Sequence, residues 1–283
     1  MRQWIAVYIG CLLAALTLAA SPAAPAQGVR AVAMPAAQAP APPAAQDPPR
    51  TWMLHLTGIA GKRWSDEQLA LGLADGGFPA QVDIYDWTGD DPGLHALLAR
   101  KRNMEESRKI ADLIADRVHK DPNLHIILSG HSGGTGIAVW ALEMLPPDVK
   151  VDKLLLLASA LSPDYDLSKA LSHVRGHCYS FCSENDVLVL GVGTRAFGTI
   201  DGKKIEAAGE GGFVFPAGAE WTQYEKLIQK PYDKSWMQYR NIGDHMGCMH
   251  RAFAREIIAP LLIDLAPSAA RAARHPAEPA AHS

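Results

Sequence analysis

Apolar residues along the chain gather in short blocks that alternate between two periods. Trp52, Met53, Leu54 and Leu56 form a first dense run, Val82 to Trp87 a second, Leu124 to Leu128 a third, Val151 to Ala158 a fourth and His177 to Phe181 a fifth. Four to eight residues rich in branched or aromatic side chains, without polar alternation, read as strands buried on both faces of a sheet. Trp236 to Ile242 reads as a sixth. Between these runs the spacing becomes helical. Ser65 to about Leu73 predicts a helix with Ser65 and Gln68 as a capping box, and Pro92 to His119 predicts one long helix capped by Asp91 with Pro92 at its first position. Ile137, Val139, Trp140, Leu142 and Leu145 mark a third helical face. A closing helix, about Met249 to Leu265, presents Phe253, Ile257, Ile258, Leu261 and Leu262. Strands alternating with helices predict an α/β domain: a doubly wound, mostly parallel sheet of about six strands with helices on both faces.

The two ends of the chain follow neither period. Residues 1–26 hold one basic residue, an apolar run from Trp4 to Ala20 and the small residues Ala24-Pro25-Ala26, which is the pattern of a secretory signal peptide. An uncleaved anchor is the less favoured reading, because the run is short for a membrane span. Residues 27–50 are mostly Ala, Pro, Gln and Val, with too little large apolar surface to offset ordering entropy, and read as a disordered linker. Residues 267–283 read as a similar tail, in which His275 and His282 are solvated. The folded domain is therefore expected over 51–266, and the location as secreted or periplasmic.

Composition narrows the function. A net charge of −3, from 27 basic and 30 acidic residues, offers no field for nucleic acid. Arg100-Lys101-Arg102 is followed by Glu105, Glu106 and Asp112 in one helical stretch, so the basic cluster reads as a solvated, salt-bridged face. No pair of histidines has the spacing of H-E-x-x-H, and neither a metal nor another cofactor is expected.

The chemistry concentrates where the third strand meets its helix, at Gly130-His131-Ser132-Gly133-Gly134. A G-x-S-x-G pentapeptide alone is a weak signal, but here it stands between a buried strand and a helix, the context that the motif requires. Small residues at 130 and 134 permit a turn tight enough to project the Ser132 hydroxyl from the sheet. The N–H of Gly133, at the helix start, would face a developing oxyanion.

With that elbow and the strand order, the chain resembles the α/β-hydrolase family over nearly all of its folded part. The first strand already leads into a loop of the oxyanion type, so the two leading strands of the full fold are missing, as in a minimal, cutinase-like member. The resemblance implies a nucleophile, an acid and a histidine in that chain order. Ser132 is the nucleophile. Asp186, in the polar turn after the fifth strand, sits where the family's acid usually falls; Glu184 is its near rival, and Asp164 and Asp166 are further alternatives. His245, in Asn241-Ile242-Gly243-Asp244-His245, occupies the histidine's position, whereas His250 falls inside the closing helix. Thr57-Gly58-Ile59-Ala60-Gly61 resembles the family's glycine loop, which makes the N–H of Ile59 the second oxyanion donor beside that of Gly133. Trp87 reads as core.

The family resemblance implies a serine hydrolase acting on a small-molecule or lipid-like ester. A thioesterase, peptidase or acyltransferase on the same fold, or a hydrolase-like scaffold that only binds, are the alternatives. Residues 187–235 contain Gly191, Gly193, Gly198, Gly209, Gly211 and Gly212 together with Phe197, Phe213, Phe215, Trp221 and Tyr224. That stretch is too long for a plain connection and is expected to wall or cover the site, either as a mobile lid or as a packed insertion. Cys178 and Cys182 are too far apart on one strand to bond, since four residues span about 13 Å and a disulfide needs Cα atoms within about 7 Å. Cys182 and Cys248 are expected to pair, leaving Cys178 buried and free.

Overall fold

The computed structural model describes residues 50–186 and 198–263. Six parallel strands form one sheet in the order β2-β1-β3-β4-β5-β6, with β1 at Thr51–Leu56, β2 at Val82–Tyr85, β3 at His125–His131, β4 at Lys153–Leu157, β5 at Cys178–Cys182 and β6 at Leu227–Pro231. The first strand, β1, takes the second place in the sheet; β2 is added on its one side, and the chain then crosses β1 to build the rest on the other. A sheet whose order reverses in this way leaves a crevice at the C-terminal ends of its strands, where ligands bind in open α/β sheets.

Alternation along the strands divides the core. Ile126, Leu128, Leu154, Leu156 and Cys178 point to one face, where they meet α2 (Leu94–Leu98), α3 (Arg100–Lys120), α4 (Gly133–Glu143) and α5 (Ser168–Ser172). Met53, Ile127, Leu155, Leu157, Tyr179 and Phe181 point to the other, under α1 (Trp64–Asp75) and a late helix, α6 (251–263). Burial on both sides is why the strands read as continuous apolar runs. Phe253 anchors the second face, its ring 5.7 Å from Phe181 and 5.0 Å from Trp236.

The structure departs from the sequence reading at three elements. The first helix starts at Trp64, so Ser65 lies inside it and makes no capping box with Gln68; instead Asp66 accepts from the Arg63 N–H at 2.7 Å. The long helix is two, broken at Ala99, because Asn103 Nδ2 donates to the Ala96 carbonyl at 2.8 Å and closes the end of α2. Trp236 to Ile242 is not a strand. Its first part belongs to a 3₁₀ helix, Lys234–Tyr239, whose cap Asp233 accepts from the Ser235 N–H at 2.7 Å. The sixth strand lies earlier, at the sheet edge, where Leu227–Pro231 is half exposed and carries the lysine and proline common on edges.

Candidate active site

The elbow forms as its residue types require. Ser132 has φ 51° and ψ −124°, one of three non-glycine residues at positive φ among those described. Holding it there are the Ser132 N–H, which donates to the Leu157 carbonyl at 2.9 Å, and the Ser132 carbonyl, which accepts from Thr135 Oγ1 at 2.6 Å. A methyl group at Gly134 would strike the Leu56 and Thr57 carbonyls, and one at Gly130 would lie 2.5 Å from the Gly134 carbonyl oxygen. Both positions therefore exclude any side chain. Ser132 is buried apart from 6% of its surface.

His245 and Asp186 reach this place from separate loops, one after the 3₁₀ helix and one after β5. Nδ1 of His245 lies 2.6 Å from Asp186 Oδ2. Because an ionised carboxylate only accepts, Nδ1 carries the proton and Nε2 keeps its lone pair. Among the described residues no hydrogen bond joins Ser132 Oγ to His245; the link between them is His131, whose ring centroid lies 4.9 Å from that of His245 and whose Nε2–H donates to the His245 carbonyl at 3.0 Å. Burial, together with the neighbouring His245, pushes the His131 pKa down to about 3. The rivals for Asp186 are engaged elsewhere. Asp164 pairs with Lys203 at 2.6 Å, Asp166 accepts from Ser168, and Glu184 points to solvent. His250 precedes the closing helix as its cap.

The glycine loop is pinned against the elbow. Trp87 Nε1–H donates to the Thr57 carbonyl at 2.7 Å, the Gly93 N–H to the Ile59 carbonyl at 2.5 Å, and Asp86 accepts from the Lys62 N–H at 2.7 Å. A methyl group at Gly133 would lie 2.5 Å from Ile59 Cγ2, so the two loops touch. Among the described residues neither the Ile59 nor the Gly133 N–H donates a hydrogen bond. Both N–H groups are therefore free to donate, one from each of two loops in contact.

A buried polar group lies deeper on the same sheet face. His55 Nε2 is 3.1 Å from Asp66 Oδ1, and His55 Nδ1 is 3.0 Å from Ser129 Oγ. Burial raises the Asp66 pKa, but the bonds from His55 and the Arg63 N–H outweigh it and hold the carboxyl below its ordinary range. All three side chains are closed to solvent, so this second Ser-His-Asp set has no access to substrate.

The expected Cys182–Cys248 disulfide is absent. Cys178, Cys182 and Cys248 are all free, and burial raises the pKa of Cys182 to about 11 and of Cys248 to about 12. Asn241 Nδ2, at 3.8 Å from Cys248 Sγ, and Asn241 Oδ1, accepting from the Gly243 N–H at 2.9 Å, brace the His245 loop where a disulfide was anticipated. Part of the glycine- and aromatic-rich stretch is packed: the N–H groups of Ile200, Ala208 and Gly209 donate to the carbonyls of Ala160, Leu161 and Ser159. Gly191, Gly193 and Phe197 lie outside the described residues. Beneath Asp186 is a void of about 10 Å³, too small for a substrate group. Among the described residues no set of three or more His, Cys, Asp or Glu side chains is placed to hold a metal.

His131, Asn241 and Trp87 are the residues of this site whose roles sequence reasoning missed. The pentapeptide fixes where His131 stands but not what it faces, and nothing in the sequence points to the other two roles. Trp87 is core as read, yet its indole N–H holds the glycine loop.

No family model matches the chain, and no curated protein matches it in sequence. Solved structures similar to it include a CIB-like hydrolase from Thermoplasma acidophilum, at 14% identity and TM-score 0.43 over 78% of this chain and 89% of that one. A cutinase-like protein from Cryptococcus sp. is 12% identical with TM-score 0.37 over 76% and 95%. A lipase-esterase related protein from Clostridium acetobutylicum is 14% identical with TM-score 0.36 over 74% and 93%. Likenesses this distant add nothing to the geometry. By its own all-parallel strand order and the serine elbow that follows its third strand, the chain has the α/β-hydrolase fold.

Proposed function

We propose that the protein is a serine hydrolase that cleaves a carboxylic ester through Ser132, His245 and Asp186. The observation that carries this reading is the 2.6 Å hydrogen bond from His245 Nδ1 to Asp186, made between two loops beside a serine at positive φ. That bond fixes the tautomer in which Nε2 accepts a proton. Ser132 is barely ionised at neutral pH, so His245 takes its proton as Oγ attacks the acyl carbon. The N–H groups of Gly133 and Ile59 then stabilise the oxyanion, each typically by about 3 kcal/mol. His245 returns the proton to the leaving alcohol, and a water activated by the same ring releases the acyl group from Ser132. The hydrogen bond between Ser132 Oγ and His245 Nε2 forms when substrate is bound, because catalytic hydrogen bonds are often long in free enzymes and tighten in the complex. Asp186 stabilises the imidazolium that forms in both halves.

The signal-like residues 1–26 and the Ala- and Pro-rich 27–50 support export to the periplasm or medium. Sequencing the N-terminus of the protein recovered outside the cytoplasm should read from Gln27; a chain beginning at Met1 would contradict this.

The test of the reaction is a panel of nitrophenyl esters graded by acyl length. The wild-type chain should turn over at least part of the panel, and Ser132→Ala should lose roughly a million-fold in kcat. Equal rates from both chains would overturn the proposal.

A further inference from the structure

His131 touches both loops that the reaction needs. Its Nε2–H donates to the His245 carbonyl at 3.0 Å, and a methyl group at Gly58 would lie 3.2 Å from its Nδ1 and 3.5 Å from Ser132 Cβ. A carbonyl can only accept, so the proton sits on Nε2 and the lone pair of Nδ1 faces the glycine loop. The ring is a flat, rigid body set directly before the nucleophile on β3, with its centroid 4.9 Å from that of His245. It is therefore wedged between the loop that supplies the base and the loop that supplies the oxyanion donor.

From this juxtaposition we propose that His131 is a positioning residue: it sets the separation between the His245 loop and the glycine loop on either side of Ser132. The inference rests on the hydrolase reading above. A flexible or shorter side chain here would leave the His245 carbonyl without its partner and let its loop close inward. His245 would then meet Ser132 at the wrong distance, while the acyl group would bind as before. The elements around His131 bring His55 and Asp66 near it from below and His245 beside it. The Asp66 carboxylate is already engaged by His55 and the Arg63 N–H. The carbonyl of His245 is the partner that orients His131.

The test compares His131→Gln with His131→Leu. The glutamine amide nitrogen reaches where Nε2 stood and donates to the same carbonyl; leucine fills similar space without a donor. A displacement of about 1 Å at a reacting group costs on the order of a hundredfold. His131→Leu should lower kcat on a nitrophenyl ester by about that factor with KM within about twofold, and His131→Gln should recover most of the loss. Thermal midpoints of the two variants, measured alongside, report any general loss of folding. Equal kcat in wild type and His131→Leu overturns the inference while leaving the hydrolase reading intact. So does a loss that glutamine fails to rescue in a folded variant. A wild-type chain that turns over no ester removes the reading and this inference together.

Discussion

Asp186 presents a single oxygen to His245 Nδ1 at 2.6 Å, so Asp186→Asn should keep the shape of the site and invert its hydrogen bonding. The amide would turn the imidazole to the wrong tautomer, and kcat should fall about ten-thousandfold. Steady-state kinetics on the best ester of the panel would check this; a drop below about tenfold would speak for another acid. A second consequence concerns acid. His131 is held down to about 3 from an ordinary 6.5, so in that interval the unfolded chain binds a proton that the folded chain refuses. Its contribution to stability is full above pH 6.5 and is lost as the pH falls through the window. Urea midpoints between about pH 7 and 4 should decline less steeply for His131→Gln than for wild type. Parallel curves would contradict the assignment. At this scale chain order and punctuation pointed to Ser132, Asp186 and His245, and the structure brings the last two within 2.6 Å of each other. The place of His131 was not legible, because nothing in a pentapeptide says that its second residue faces a carbonyl 114 positions away.

The elbow and the glycine loop behave as elements. Gly134→Ala would drive a methyl group into the Leu56 and Thr57 carbonyls, contacts made by backbone that has nowhere to move. The cost should be about 3 kcal/mol or more, seen as a lowered denaturant midpoint or insoluble protein. An unchanged midpoint would show that the turn is looser than described. Trp87→Phe removes the indole donor to the Thr57 carbonyl and leaves a buried acceptor unpaired. It should cost about 1–3 kcal/mol of stability. The rate should also fall, since the Ile59 amide loses its brace; unaltered kcat/KM would separate the loop from catalysis. Elements buried on both faces were legible from their apolar runs. The sixth strand was not, because Leu227–Pro231 lies at an edge where none of its residues is fully buried, which erases the pattern. The adjacent Trp236 and Met237 imitate a strand while lying in a 3₁₀ turn. The disulfide failed because the strand expected to precede Cys248 does not exist: Cys248 lies in a 3₁₀ turn, Gly247–Met249, in a loop that Asn241 ties.

At the scale of the whole molecule, the residues proposed for catalysis lie at the C-terminal edge of one sheet, with the packed core beneath. Ser132 follows β3, Asp186 follows β5, and His245 follows the turn beyond β6. The helix at 251–263 seals the lower face through Phe253, which is fully buried against Phe181 and Trp236. Phe253→Ala should destabilise by about 3–5 kcal/mol, and the loss should reach the site because Trp236 precedes the His245 loop. The claim that all of this depends on is an activated hydroxyl at position 132. Labelling the native protein with a fluorophosphonate probe, followed by peptide mapping, tests it directly. A single adduct on Ser132, lost on denaturation and in His245→Ala, is the predicted result. An unlabelled native chain, or an adduct on any other residue, would contradict it.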